Sequence, residues 1–247
     1  MASILNASTT STTGIVFTAD ASGSLALQGN GNTALTINSS GKVVMANIAL
    51  GTASAGMQEY NGVTQYFTPL GTQRGVIPGQ QFYALQTGVT GANSTANQSL
   101  FGLTNGVTLS SSTIYAFESV VNLIKTTGTT SHTFQLLFGG TATLNYIAYN
   151  VIQNDNNGGM NFRSTNTAWI AINQATATTV ATGLTAATQY MYLGIKGIVS
   201  INAGGTFLPQ YVLSAAPGGA YTTQTGSYFN IHPIAISGSN VSVGTWA

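Results

Sequence analysis

Apolar and polar residues alternate along much of this chain, in runs that end at clusters of Gly, Asn, Ser and Thr. The clearest case is the segment 189–202, where Met191 and Leu193 fall on one face and Tyr190 and Tyr192 on the other. A period of two is the signature of a half-buried β-strand. The same pattern, with turn residues at each end, predicts seven longer strands: 113–126, 132–138, 143–153, 168–174, 189–202, 206–214 and 227–236.

Helical patterns are weak by comparison. No window of helical length keeps apolar residues at 3.6-residue spacing with good helix formers between them. The Ala-rich stretch 175–187 is also rich in Thr, which disfavours a helix. Several strands separated by turn signals therefore predict an all-β fold, built as a sandwich or a barrel.

The first fifth of the chain has a different pattern. Residues 14–50 contain only short alternating runs, such as Leu25 with Leu27, and these are separated by turn residues. Strands this short bury little apolar area, and an isolated meander of them is marginally stable in water. We therefore expect this region to need neighbours, either the main domain or other chains. Residues 51–58 are small and predict a flexible linker.

Composition narrows the functional classes. Only 4% of the 247 residues are charged, and the net charge is +1, whereas an average soluble domain has roughly a quarter of its residues charged. No charge cluster exists that would capture nucleic acid or an anionic membrane. Because near-zero net charge favours association, we expect this chain to be held in an assembly of copies. A secreted β-protein with an uncharged surface is the alternative.

Targeting signals and cysteine chemistry add only exclusions. Residues 1–13 lack the basic start and apolar run of a signal peptide. No apolar run of about 18 residues predicts a membrane span. The chain has no cysteine, which excludes disulfides and thiolate chemistry.

Hydrolytic chemistry has few candidate residues. Glycoside hydrolysis needs two carboxylates around one bond, and the four acids are scattered along the chain: Asp20, Glu59, Glu118 and Asp155. Glu118 lies in an apolar run and could be a partly buried acid, but we favour a solvent-facing position or a pair with Lys125. A serine triad would need His132 or His232, and no G-x-S-x-G elbow accompanies them. Both are predicted to be core or interface histidines.

Ligand-binding motifs are equally sparse. Residues 154–159 resemble an oxygen-rich calcium loop, but they offer one carboxylate and no closing Glu, so a polar hairpin turn is favoured. No zinc spacing, phosphate loop or dinucleotide fingerprint occurs. Several aromatic residues could stack on sugars in a receptor-binding protein, although packing in the core or between subunits is favoured: Tyr83, Tyr149, Trp169, Tyr211, Tyr221 and Trp246. We therefore predict no catalytic, cofactor or metal site.

Three parts of the chain resemble a family of bacteriophage virion proteins. Residues 18–31 are similar to the opening TADASG-x-L-x-LQ-x-NG of phage tail and decoration proteins. Residues 59–63 (EYNGV) and 71–78 (GTQRGVIP) resemble the entry strand of a phage jelly-roll module. Residues 217–221 (PGGAY) and 226–229 (GSYF) are similar to the closing hairpin of that module.

The resemblance implies a trimeric jelly roll, akin to tumour-necrosis-factor-like knobs, carried on a β-structured stem. On this basis, residues 1–55 are expected to form an N-terminal β-arm or stem and residues 56–247 a jelly-roll β-sandwich. The implied role is non-enzymatic. We expect a capsid decoration, or cement, protein that binds as a homotrimer to the outer surface of a virion and contacts the major capsid protein or other virion proteins.

Two other roles remain open at this point. The alternative is a tail-fibre or appendage protein that binds a host-surface glycan. The decoration role is preferred to it because the chain is short for a whole fibre. A hydrolase acting on cell-surface polysaccharide is more distant, because it would require two carboxylates in one cleft.

Overall fold

The structure, a computed structural model, describes residues 22, 24–29, 32–155, 168–171, 176–238, 240 and 242–246. Nineteen strands and no helix occur in this described part of the chain, which confirms the all-β prediction. Accordingly, none of these residues belongs to a helix long and apolar enough to cross a membrane.

Two small antiparallel sheets come first in the chain. Each is a three-stranded meander, and their strands are β1 (Leu25–Gly29), β2 (Asn32–Ile37) and β3 (Val43–Met45), then β4 (Gln58–Tyr60), β5 (Gln65–Phe67) and β6 (Gly75–Ile77). The first sheet corresponds to the short runs predicted in residues 14–50. The boundary expected between residues 55 and 56 stays a prediction, and most of the first 23 residues lie outside the described part.

The remaining strands form two larger antiparallel sheets. In chain order they are β7 (Gln81–Ala84), β8 (Val89–Thr90), β9 (Gln98–Ser99), β10 (Val107–Leu109), β11 (Thr113–Lys125), β12 (His132–Gly139), β13 (Thr143–Asp155), β14 (Ala168–Ala171), β15 (Thr178–Leu184), β16 (Gln189–Ala203), β17 (Gly205–Leu213), β18 (Thr222–Thr223) and β19 (Tyr228–Ile236).

The larger of these sheets has eight strands, with β14, β13, β16 and β11 side by side. Beyond β11, β19 pairs with its first part and β18 with its last part, and these two pair in turn with β7 and β8. The other sheet has five strands in the order β10-β17-β12-β15, and β9 also pairs with β17. All seven predicted strands are present within a few residues of their expected bounds.

Three strands of the five-stranded sheet, β9, β10 and β15, lie outside the predicted segments, and β15 is the longest of them. β15 lies in the Ala- and Thr-rich stretch that was noted only as unfavourable for a helix. It carries Val180, Ala181 and Leu184 to the core, and all three are buried.

Aromatic rings form the contact between the two larger sheets. The Phe117 ring of β11 lies 5.3 Å from the Phe138 ring of β12 and 6.1 Å from the Phe207 ring of β17, centroid to centroid. Phe138 and Phe207 stack on each other at 5.0 Å, and Tyr149 of β13 meets Phe138 edge-on at 5.2 Å. All of these side chains are buried in one cluster. The sheets therefore pack face to face as a β-sandwich.

Gly197 of β16 makes room for this aromatic contact. It pairs with Phe117 on one side and with Tyr149 on the other. A Cβ at Gly197 would lie 2.5 Å from the carbonyl oxygen of Ala148 and 2.7 Å from Cζ of Phe117. Only a residue without a side chain fits between the two rings.

A buried ion pair fixes part of the predicted linker to the second small sheet. Arg74 donates from Nε to Glu59 Oε2 at 2.8 Å and from a terminal nitrogen to the Gly51 carbonyl at 2.7 Å. Glu59 Oε1 accepts the Gly51 N–H at 2.9 Å. Glu59 is 2% exposed, and these two partners compensate its buried carboxylate. The chain before β4 is thereby anchored at Gly51.

We predict that Gly197→Ala destabilises the protein by about 2–3 kcal/mol, because the new methyl group must displace Phe117 or the neighbouring strand in a close-packed core. Chemical denaturation measures this loss. Gly194→Ala is the matched control on the same strand, because its Cβ would meet only the movable Tyr192 side chain, at 3.2 Å. Equal stability of the two variants would contradict the proposed role of Gly197.

Candidate functional site

The outer face of the eight-stranded sheet, which points away from the core, carries half-exposed aromatic side chains. Tyr190 is 53% and Tyr192 40% exposed, while Met191 and Leu193 between and beside them are buried. The predicted alternation along this strand is therefore confirmed. On the same face, the rings of Phe82 and Tyr228 stack 5.4 Å apart.

A polar row crosses the middle of this outer face. Glu118 of β11 and Lys196 of β16 are cross-strand partners. The row continues to Asn230 of β19, which pairs with Glu118, and to Asn150 of β13, which pairs with Lys196. Glu118 is exposed, as the favoured interpretation expected. The alternative pairing with Lys125 is wrong, since Lys125 lies an odd number of residues along the same strand and points into the core.

Two buried polar atoms, one in this row and one beside it, have no hydrogen-bond partner among the described residues. They are Asn230 Oδ1 and His232 Nδ1. Burial lowers the pKa of His232, and the nearby Glu118 carboxylate partly opposes that shift. His232 is thus a partly buried surface histidine with no serine nucleophile hydrogen-bonded to it in the described part of the chain.

The first small sheet exposes apolar side chains on both of its faces. Val43 is 64% and Val44 47% exposed, and as consecutive residues of β3 they point to opposite sides. Leu27 and Ile37 on the neighbouring strands are also exposed, at 45% and 36%. We call Leu27, Ile37, Val43 and Val44 the N-terminal apolar surface. A sheet this thin has no core of its own.

Lys125 is buried at one end of the sandwich, with 1% of its surface exposed. Its Nζ lies 2.7 Å from the carbonyl oxygens of Gly128 and Ala186, 3.1 Å from that of Thr127 and 3.4 Å from that of Ala187. Burial lowers the pKa of this ammonium. It ties the loop after β11 to the loop before β16, so its role is structural.

His132 lies close to Lys125 in the same buried region. Its Nδ1 is 2.8 Å from the Thr130 carbonyl, and its Nε2 is 2.8 Å from the Tyr221 hydroxyl. A carbonyl only accepts, so Nδ1 carries the proton and Nε2 of the neutral ring accepts from Tyr221. Burial is the main cause that lowers the pKa of His132, and the Lys125 charge adds to it. The prediction of a core histidine is confirmed.

Tyrosines around His132 are held neutral. Burial raises the pKa of Tyr211 to about 12. It also raises the pKa of Tyr221, with a further contribution from the Asp155 carboxylate. These hydroxyls therefore serve as hydrogen-bond donors inside the core.

The other aromatic candidates divide between core and surface. Tyr149, Tyr211 and Tyr221 are buried, as favoured, whereas Tyr83 is 41% and Trp246 81% exposed. The side chain of Trp169 lies outside the described residues, as do residues 156–159 of the candidate calcium loop. No group of three or more His, Cys, Asp or Glu that could hold a metal occurs in the part of the chain that is described.

Two grooves border the outer face. One, of about 850 Å³, lies between the end of the face that carries Ile114 and Tyr146, Val76 of β6 and four C-terminal residues, Ser237, Gly238, Asn240 and Val243. The other, of about 470 Å³, lies at the opposite end and is lined by Tyr190, Tyr192 and amide side chains. The sequence did not single out these amides, because their grouping depends on the strand register.

No known protein family matches this chain, and no curated protein is significantly similar to it. Its function must therefore be inferred from its own residues.

We predict that Lys125→Met lowers the free energy of unfolding by about 2–4 kcal/mol, because the buried carbonyls around Nζ lose their donor. Lys196→Met, on the exposed outer face, is the matched control and should change stability by less than about 0.5 kcal/mol. Urea denaturation at neutral pH compares them, and a harmless Lys125→Met would show that the carbonyls find other donors.

We also predict acid sensitivity that arises from His132. Its folded pKa is lowered, so its contribution to stability is complete above the unfolded value of about 6.5 and is lost as the pH falls towards the folded value. Denaturation midpoints measured between pH 7 and 5 should decline in the wild type and decline less in His132→Gln. The control variant His232→Gln should retain the part of this decline that His132 causes. Parallel declines in wild type and His132→Gln would refute this assignment.

Proposed function

We propose that this chain is a non-enzymatic structural protein of a virion. In this proposal it is a capsid decoration protein that assembles as a homotrimer on the outer surface of the shell and contacts the major capsid protein or other virion proteins. The observation that carries the proposal is the N-terminal apolar surface, which an isolated chain leaves in water.

The order of the strands supports a jelly roll. In a double-sheet jelly roll of eight strands, the first pairs with the eighth, the eighth with the third and the third with the sixth. The chain has this order in β7, β19, β11 and β16, and the complementary order in β10, β17, β12 and β15. The hairpin β13–β14 is then an insertion that extends the first sheet beyond β16. The fold alone does not specify a function, but it suits the proposed knob.

The exposed apolar residues of β1–β3 support assembly through the N-terminal region. Burying a side chain such as Val43 or Leu27 against another chain contributes roughly 1.5–3 kcal/mol when the burial is complete. Several such side chains from each of three copies would outweigh the entropy that association costs. The contacts would stabilise the shell by mass action, because they exist only when the subunits are in place.

The free edge of the first sheet offers a second kind of contact. Among the described residues, β1 pairs only with β2, and an edge strand of this kind can pair with a strand from a neighbouring chain. The small number of charged residues supports the same proposal, since few like charges would oppose close packing of copies.

A tail-fibre or appendage protein is the second candidate. It is favoured by the groove that Tyr190 and Tyr192 line on the outer face. Copy number separates the two roles, because a decoration protein coats the shell in many copies and a fibre is present in few. Quantifying the chain in purified particles would distinguish them.

We predict that the purified chain is a trimer with a mass three times the chain mass of 25.3 kDa, measured by light scattering after size exclusion. The triple variant Leu27→Thr/Val43→Thr/Val44→Thr keeps the strand propensity of Val43 and Val44 but removes apolar area, so it should shift the mass towards the monomer on dilution.

Ile152→Thr is the matched control, because Ile152 is 65% exposed on the outer face of the sandwich. It should leave the mass unchanged. A monomeric wild type would overturn the trimer, whereas a trimer that resists the triple variant would show that another surface joins the copies.

A further inference from the structure

A row of amide and aromatic side chains crosses the far end of the outer face. Tyr192 of β16 pairs with Asn122 of β11 on one side and with Asn154 of β13 on the other. Gln224 extends the row, since its backbone N–H donates to the Asn122 carbonyl at 2.7 Å. We call these four residues the Tyr192 row. It spans three strand spacings, or roughly 14 Å.

The ring of Tyr192 lies along the sheet. A Cβ at Gly194, two residues further on the same face, would lie 3.2 Å from Tyr192 Oη and 3.4 Å from the ring carbon Cε1. The missing side chain of Gly194 thus lets the ring lean over the strand, and 40% of Tyr192 remains exposed. Tyr190, 53% exposed, stands beside it on the same face.

The amides on each side of this ring have unused hydrogen-bonding capacity. The side chains of Asn122 and Asn154 make no hydrogen bond with any described residue, although both are half-buried. Each amide offers two N–H donors and a carbonyl acceptor. The side-chain amide of Gln224 donates one hydrogen bond to the Thr222 carbonyl, at 3.3 Å. Its own side-chain carbonyl oxygen accepts none from a described residue.

These groups match the chemistry of a sugar. A pyranose presents an apolar face of C–H groups, which stacks on an aromatic ring, and hydroxyls at its rim, which both donate and accept. The Tyr192 row offers an aromatic ring for the C–H face and, on both sides of that ring, amides for the hydroxyls. The groove that contains it measures about 470 Å³, within the usual range of ligand sites.

Charge argues for a neutral sugar. The nearest charged side chains on the outer face along β11 and β16 are Glu118 and Lys196, each four residues from the row, or about 13 Å along the strand. The Asp155 carboxylate, at the floor of the groove, is 6% exposed and accepts from Gln153 Nε2. Among the described residues, an acidic or basic ligand would find no counter-charge at the opening.

We propose that the Tyr192 row binds a short neutral oligosaccharide, with one ring stacked on Tyr192 and hydroxyls bound by Asn122 and Asn154. Asn122 of the row is eight residues along β11 from Ile114, or about 26 Å. Ile114 marks the end of the face that borders Val76 and the C-terminal residues. Contacts made through the N-terminal apolar surface would leave the row open. This inference goes beyond the assembly role and does not rest on it.

The test is binding of the full chain to an immobilised panel of neutral oligosaccharides of glucose, galactose, mannose and their N-acetyl derivatives. A panel member that binds is then titrated by calorimetry. Tyr192→Ala should weaken its binding about tenfold or more, and Asn154→Ala about threefold to tenfold. Tyr192→Phe, which keeps the ring, should retain most of the affinity, and Gly194→Val should lose part of it by displacing the ring.

Tyr146→Ala is the matched control, because Tyr146 is 38% exposed on the same face near the other end. It should bind as the wild type does. Failure of the whole panel, or wild-type affinity of Tyr192→Ala, would overturn the site. Binding only of sialylated or sulfated sugars, lost on raising the salt concentration, would overturn the neutral assignment. None of these outcomes changes the mass measured for the chain, so the trimer proposal is judged separately.

Discussion

The contact between aromatic rings across the two larger sheets is the interaction on which the rest of the structure depends. Phe117 reaches Phe138 and Phe207 of the opposite sheet because Gly197, its neighbour on β16, has no side chain. Close packing of large rings fixes the distance and the register of the sheets. Every outward-facing residue of β11 and β16 takes its position from that register.

Polar groups close one end of this core. The Lys125 ammonium, surrounded by backbone carbonyls, holds together two loops that each connect one of the larger sheets to the other. His132 and Tyr221 form a neutral hydrogen-bonded pair beside it. Of the few charged side chains, Glu59, Lys125 and Asp155 are all buried, so the exposed surface is even less charged than the composition indicates.

The two ends of the molecule differ in what they offer to partners. The N-terminal apolar surface belongs to a sheet too thin to bury both of its faces, so its natural complement is another apolar surface. The Tyr192 row is half polar and uncharged, and its complement is a neutral ligand with hydroxyl groups. A virion protein anchored by the first surface would present the second outward, which would unite the decoration role with recognition of a glycan.

The sequence by itself determined most of the longer strands, because side-chain alternation is a local property. The segments around β11, β13 and β16 were predicted with nearly correct bounds, and alternation would also have placed Lys125 on the core side with Leu123. The rarity of charged residues and the scarcity of catalytic motifs also follow directly from the sequence. β15 was missed because Ala and Thr carry a weak signal for any single structure.

Only the tertiary structure decided which residues meet. Asn122, Asn154 and Tyr192 lie far apart in the chain, and their common row depends on two strand registers set by packing in the core. The same holds for the carbonyls around Lys125, which come from two distant loops. Local patterns specify which face a residue takes, but cross-strand neighbours are fixed by long-range contacts, and no single segment of the sequence encodes them.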